Sequence, residues 1–370
     1  MPSQFTVLTT SGADSAEWSA TIARLPHACR DIHFLPEYGR VYQATHGVVS
    51  HLACLDDDEG LVVQPFVSRD LSELPFFRQQ GIAATAADIA NPYGYGGPIY
   101  ATHEGARAPR LVARFEEAFL RYCEREQLAS EFCSLHPLFD VSRTLAETGM
   151  VTPKPEKRVV YLDLSADEAE IWRRVRKGHK WSISKARRSG VHVARVEGSA
   201  RNLEAFKNLY YATMQRNQAA SRWRHPDSYF GNCLNILGDR RASFHFATVD
   251  GQLAAATILM HDFEIAYYHF AGSDPAYNAT CAGTLLVYEC ALWARRQGYR
   301  IFHLGGGVSN TSEDGLYLFK SGFSDLTATL YTYTRVLHAP TYRWLSEAKI
   351  RHEQQEGWSG QEDYFPLYRR

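Results

Sequence analysis

Residues 303–323 read HLGGGVSNTSEDGLYLFKSGF, and Lys320 stands there between Phe319 and Phe323. A lysine among aromatic side chains can hold its charge in a partly dry site. There it would stabilise the oxyanion that forms when an ester or thioester carbonyl is attacked. The same spacing also suits a surface lysine beside two core phenylalanines. Gly305, Gly306 and Gly307 follow a β-like run directly. Without side chains they let the backbone approach a ligand or a second strand closely. Asp314-Gly315 reads as a turn before the LYLFKSGF segment.

Other segments also carry candidate chemistry. In NPYGYGGPIY, residues 91–100, glycine and proline fix an irregular backbone while Tyr93 and Tyr95 offer contact surface, either as an acceptor-binding lip or as a structural loop. Glu104 is the nearest following acid. The stretch 173–190 carries Arg173, Arg174, Arg176, Lys177, Lys180, Lys185, Arg187 and Arg188 around Trp181. It suits either the phosphates of an RNA or a solvated basic face. Arg216 and Arg224 are guanidinium candidates for a phosphate or carboxylate, with Arg40 in PEYGRVYQ a weaker one; structural ion pairs are the rival use.

The elements that must position these residues are legible as two runs of mixed strands and helices. FTVLTT, the two runs of GVVSHLACLDDDEGLVVQPFVSR and SEFCSLHPLF read as strands, and ARAPRLVARFEEAFLRYCEREQ as an amphipathic helix. Residues 152–158 (TPKPEKR) form a Pro- and Lys-rich boundary. Beyond it, RVVYLDLS, VHVARVEG, the three runs of 242–274 and RIFHLGGG read as strands; the Asp250-Gly251 pair marks a hairpin. The basic stretch reads as one long helix, or as a helix broken near Gly178. NLEAFKNLYYATMQRNQ and TLLVYECALWARRQGY read as helices, TATLYTYTRVL as extended, and the region from about Pro340 to Gln355 as a last helix. The recurring element order predicts a mixed α/β protein of two comparable domains.

Bulk properties set the frame. The 370 residues suit two domains. At 45% hydrophobic and 22% charged, the chain can bury a sizeable core. A formal net charge of −1 leaves any contact with nucleic acid or membrane to a local patch. Cys29, Cys54, Cys123, Cys133, Cys233, Cys281 and Cys290 show no paired or metal-ligand spacing, which fits a reducing compartment and no metal. The first residues lack the basic-then-apolar pattern of a signal peptide, and no apolar run approaches a membrane span, so a soluble, cytoplasmic protein without stable membrane insertion is expected. Nucleotide-binding, serine-hydrolase and zinc-protease motifs are missing, and His269 and His303 read as core or lining residues.

LGGG followed by DGLYLFKSGF resembles the C-terminal signature of the Fem family of aminoacyl-tRNA-dependent transferases, within the GNAT-like acyltransferases. YYHFAGSDPAYNATCAGTLLVYECALWARRQGYRIFHLGGG resembles the family's strand, loop, helix and strand. FKNLYYATMQRNQAASRWRHPDSYF resembles its Tyr-x-x-Thr-Met-x-Arg helix, here Tyr211 to Arg216. The likeness covers about half the chain, from roughly residue 160 to 335.

The resemblance implies two GNAT-like domains with a cleft between them. The first would span residues 1–155, with 336–370 returning to it; the second, 156–335, would carry the acyl-transfer site. It assigns Phe319 and Lys320 to that site, with Lys320 on the carbonyl of the aminoacyl ester. The acceptor would meet Tyr93, Tyr95, Arg216, Arg224, Arg40 and Gly305–Gly307, and the tRNA would meet Arg176, Lys177, Lys180, Lys185, Arg187 and Arg188. Relatives carry an acid soon after the Gly-Pro of the 91–100 loop; here Gly97-Pro98 is followed by Ile99, Tyr100 and Ala101, so no dedicated general base is assigned. The expected reaction is transfer of an amino acid from aminoacyl-tRNA to an amine of a peptidoglycan precursor or a small natural-product acceptor, with no cofactor. The alternatives are an acyl-CoA-dependent N-acyltransferase and a non-catalytic binding protein on the same scaffold. Against acyl-CoA, the loop YNATCAGTLL has only Gly283 and lacks the usual Gln or Arg at its start.

Overall fold

The computed structural model describes residues 4–72, 74–79, 86–103, 105, 107–219, 224–309, 311, 313–357 and 364–370. Glu104 lies outside them. The chain divides into two compact units. One comprises Met1–Cys29, His33–Pro155 and Leu330–Arg370; the other comprises Arg30–Ile32 and Glu156–Thr329.

The first unit runs β1 (Gln4–Thr9), α1 (Gly12–Arg24), α2 (Pro36–His46), β2 (Val49–Asp57), β3 (Gly60–Asp70), α3 (Pro75–Gln79), β4 (Ala87–Ala90), β5 (Ile99–Thr102), α4 (Ala108–Arg125), β6 (Ser130–Ser134) and α5 (Val141–Thr148). The second runs β7 (Lys154–Asp163), α6 (Glu168–Arg174), α7 (Lys177–Arg188), β8 (His192–Val196), α8 (Ala200–Arg216), α9 (Asp227–Asn232), β9 (Ala242–Val249), β10 (Gln252–Asp262), β11 (Ile265–Ser273), α10 (Ala282–Arg296), β12 (Ile301–Gly306) and α11 (Gly315–Lys320). The chain then follows β13 (Thr327–Val336) and α12 (Ala339–Gln355) into the first unit.

Both units use one strand plan. In the first, β1, β2, β3 and β4 pair antiparallel in sequence. Helix α4 then crosses over to β6, parallel to β4, and β13 closes antiparallel against β6. In the second, β8, β9, β10 and β11 pair antiparallel. Helix α10 crosses over to β12, parallel to β11, and β7 closes antiparallel against β12. A parallel pair needs a long crossover, and in each unit a helix supplies it.

The crossover helices are also the core. Leu111, Phe115 and Phe119 recur at four-residue spacing along α4 and are fully buried against Ala53, Val62 and Phe66. Leu285, Leu286, Cys290, Ala291 and Ala294 of α10 are buried with Leu259, Ala266 and Phe302. Each large side chain so covered contributes about 1.5–3 kcal/mol. The β9–β10 turn takes positive φ at Asp250 (49°) and Gly251 (76°), as the Asp-Gly hairpin signal requires.

One local alternative is decided and one expectation changes. Of the two readings of the basic segment, the broken helix is observed: the chain leaves α6 at Val175 and enters α7 after Arg176, two residues before Gly178. Val175 is extended and buried, and the Arg176 amide donates to the Gly322 carbonyl, so a tertiary bond replaces a helical one. Asp314-Gly315 is not a free turn but the start of α11, with the Asp314 carboxylate accepting from the Tyr317 amide at 2.8 Å as its N-cap. Helices α1 and α2 add to the elements read from the sequence. Gly39 breaks the pattern inside α2, where a side chain would come 3.0 Å from Ser50 Cβ, so glycine lets this helix lie close on β2.

Candidate acyl-transfer site

The site of the second unit begins where two parallel strands stop pairing. β11 and β12 pair from Ile265↔Ile301 to Tyr267↔His303. Beyond that point β11 continues to Ser273 against β10, while β12 shifts register against β7 between His303 and Gly305. Gly305 takes φ +74°, which a side chain would resist. A side chain on Gly306 would come 2.7 Å from the Arg158 carbonyl oxygen, and one on Gly307 would collide with the Asp314 carboxylate. The triple glycine therefore answers three separate demands of the backbone.

Asp314 organises the following loop. Besides capping α11, it accepts from the amides of Val308 (3.0 Å) and Ser309 (2.7 Å) and from the Ser309 hydroxyl (2.9 Å). Burial opposes its charge, but these bonds outweigh it and hold the carboxyl below its ordinary range. Helix α11 so anchored carries Lys320 in its last turn. The Lys320 ammonium donates to the Gly306 carbonyl at 2.8 Å. Burial, helped by the nearby Lys157 charge and opposed by Asp314, lowers Lys320 to about 8. A half-buried lysine held by a neutral carbonyl keeps donors for a further acceptor and loses little by receiving one.

Phe319 faces inward. Its ring lies 5.5 Å from His179 and 5.3 Å from Phe323, and its carbonyl accepts from His179 Nε2 at 2.9 Å. Gly322 leaves the room that the His179 ring fills. Burial lowers the His179 imidazole, with the Phe319 bond acting in the other direction. Arg176 donates to the Ser321 hydroxyl at 2.5 Å. The start of α7 thus fixes the Phe319-Lys320 dipeptide from behind. At the parting of the strands, the Tyr267 hydroxyl donates at 2.5 Å to buried Asp31, and the Tyr267 ring lies 5.2 Å from His303.

Lys320, Phe319, Gly305, Gly306, Gly307 and Arg176 therefore come together. The remaining basic residues divide. Lys180 donates to the Arg173 carbonyl and covers Trp172; Arg187 pairs with Glu289 at 2.8 Å and covers Tyr288. Lys177, Lys185 and Arg188 share an outer face of α7 with Trp181, which is 59% exposed, and Lys185 lies over the Trp181 ring. Arg216, at the end of α8, donates to the Ser273 carbonyl at 3.2 Å. Arg224 is exposed. In the first unit, Arg40 donates to the Ser15 hydroxyl and pairs with Glu37. Tyr38 donates to the Tyr93 carbonyl, and the Tyr95 ring packs between His33 and His136. Sequence reasoning missed Lys157, His179 and Asp31; only Asp314 left a signal, an Asp three residues before Tyr317 at the head of an amphipathic segment.

The chain is similar to known proteins in sequence and in fold. An acetyltransferase (GNAT) domain family matches residues 173–314. A UDP-N-acetylmuramoylpentapeptide-lysine N(6)-alanyltransferase of Weissella viridescens is 25% identical over 281 residues, covering 73% of this chain and 78% of the relative. The chain is an N-acyltransferase related to the Fem family. A solved FemX structure superposes with a TM-score of 0.71 over 93% of this chain and 99% of that one, at 12% identity. A tandem GNAT protein from the clavulanic acid pathway superposes at 0.51, at 12% identity, over 90% of this chain and 98% of that one. The C-terminal domain of a putative lysylphosphatidylglycerol synthetase from Agrobacterium fabrum gives 0.53, at 13% identity, over 90% and 98% respectively. These superpositions support the mixed α/β, GNAT-like fold. Among the described residues, no helix is long and apolar enough to cross a membrane.

Proposed function

We propose that this N-acyltransferase moves an amino acid from aminoacyl-tRNA to an amine of a peptidoglycan precursor in the cytoplasm. The observation that carries the reading is the half-buried Lys320 ammonium at the end of a glycine strand, with a backbone carbonyl as its hydrogen-bond partner. An aminoacyl ester is already activated, so positioning and charge stabilisation supply most of the catalysis. The amine attacks the ester carbonyl, the electron pair moves to the carbonyl oxygen, and the Lys320 charge stabilises the oxyanion. Collapse forms the amide and releases the ribose hydroxyl, which takes up the proton lost by the amine. The acceptor class follows the Weissella relative, whose name specifies the lysine of a UDP-N-acetylmuramoyl-pentapeptide. The outer face of α7, with Lys177, Lys185 and Arg188 around Trp181, suits phosphates and a stacked base, which supports RNA as the donor's carrier.

The test offers the purified chain aminoacyl-tRNA or acyl-CoA, each with UDP-N-acetylmuramoyl-pentapeptide and with a panel of small amines, and follows amide formation by mass. Transfer from aminoacyl-tRNA to the pentapeptide is expected. Transfer only to small amines would move the acceptor to natural-product chemistry. Transfer only from acyl-CoA would replace the donor and favour the GNAT-domain reading of 173–314. No transfer and no binding of either donor would overturn the proposal.

A further inference from the structure

Two lysines from different elements converge on one dipeptide of the site. Lys157 lies on β7 two residues before Val159, which pairs with Gly306. Its aliphatic stem crosses the face of Gly306: a side chain built there would meet Lys157 Cδ at 2.9 Å and Cγ at 3.3 Å. The carbonyl of the same glycine accepts the 2.8 Å bond from Lys320. A side chain on Gly305 would meet Lys320 Nζ at 3.4 Å. The stem of one lysine thus packs on the residue that holds the ammonium of the other.

We propose that Lys157 is a positioning residue for Lys320, holding Gly306 with its stem and setting a second positive charge against the ammonium. The inference rests on the assignment of Lys320 to acyl transfer. The stem packs against Gly306 and so restrains the residue whose carbonyl accepts the bond from Lys320. Two like charges side by side are unfavourable, and such a pair persists where something else holds it together. Here that is the backbone pairing of β7 with β12.

The charged and titratable groups around Lys320 come from four elements. Asp314 caps α11, and its carboxylate is committed to the 308–309 loop and to Tyr317. Arg176 and His179, at the start of α7, are engaged with Ser321 and the Phe319 carbonyl. His303 on β12 accepts from the Gly305 amide at 3.1 Å. Lys157 and the exposed Arg158 come from β7. Burial is the largest influence lowering Lys320, Lys157 acts in the same direction, and Asp314 acts against them.

The experiment reads Lys320 directly and needs no substrate. The full-length protein is labelled with trace acetic anhydride from pH 6 to 11, and the rate at Lys320 is followed by peptide mass spectrometry. Because only the free amine reacts, the midpoint reports its titration. The wild-type midpoint is expected near 8. Lys157→Met keeps the stem and removes the charge, and should raise the midpoint by about half a unit or more. Lys157→Gln provides the same test should the methionine variant fold poorly. A Lys157 that served only to pack would leave the midpoint in place, and an unchanged midpoint in either folded variant overturns the proposal. Loss of the Lys320 reading shows elsewhere, as normal transfer by Lys320→Ala, so the two failures are distinguishable.

Discussion

The two units share a strand plan but treat their buried cations in opposite ways. In the first unit, Arg335 on β13 has a side chain only 10% exposed and faces two buried acids, Glu116 of α4 and Glu131 of β6. Glu131 also accepts from Gln64 at 2.9 Å and Tyr333 at 2.8 Å. In the second unit, Lys320 has a backbone carbonyl as its partner and a second lysine beside it. The strand gaps differ likewise. Past the β4–β6 pairing, Asn91 receives the Ser134 amide and Gly96 bridges to Leu135, so the chain's own loop fills the space. Past the β11–β12 pairing, the strands part at Tyr267 and His303. A cation neutralised by two carboxylates holds a fold together. A cation held by a neutral carbonyl keeps donors for a further acceptor.

The largest effect that could break this comparison lies in the first unit. Arg335→Met should cost about 3–5 kcal/mol in denaturant unfolding, because it leaves two buried acids without their cation. A loss under about 1 kcal/mol would mean the network is not structural. Burial pushes the Glu116 carboxyl up to about 7, with Arg335 acting against it. An acid raised in the folded state favours folding below its unfolded value and loses that contribution as pH climbs through 7. Glu116→Gln should therefore flatten the stability profile between about pH 4.5 and 7; an unaltered slope would remove Glu116 from the account.

An opposite slope belongs to the second unit. Burial lowers His261 to about 4 and His245 to about 3; both contact the Ser243 hydroxyl, and both rings pack on Trp293. A histidine depressed in the folded state contributes fully above its unfolded value of about 6.5, and that contribution fades as pH falls toward 4. The protein should lose up to about 3 kcal/mol per histidine over this range. His261→Gln should reduce the loss, as thermal melts across pH 4–7 would show. The smallest effect is expected on the outer face of α7. Replacing Lys177, Lys185 and Arg188 together should leave stability within about 1 kcal/mol while weakening binding of charged tRNA and lowering its salt dependence. Unchanged binding would direct the search for the donor surface elsewhere.

Much of this was readable in the residues, and the misses have physical causes. The β9–β10 hairpin follows from Asp250-Gly251, and α4 from its four-residue aromatic spacing. The glycines and Lys320 stood out because they are unusual in an apolar segment. His179 and Lys157 did not, because their roles depend on close approaches, to Gly322 and Gly306, between residues distant in sequence. Whether the basic stretch was one helix or broken near Gly178 was left open for a related reason, since the Gly322 carbonyl that takes the Arg176 amide lies on the far side of the unit's sequence. Local propensity has no access to such tertiary bonds.

Under the proposed function, Lys320 carries charge for a reaction rather than for the fold. The most direct measurement sets Lys320→Ala beside wild type with whichever donor the wild-type protein uses, recording kcat and Tm on the same preparations. A donor to a developing oxyanion is worth roughly 3–4 kcal/mol, so kcat should fall by about a hundredfold or more. Tm should barely move, since the bond lost is a single one to the Gly306 carbonyl. Near-wild-type turnover in a folded Lys320→Ala protein would contradict the account.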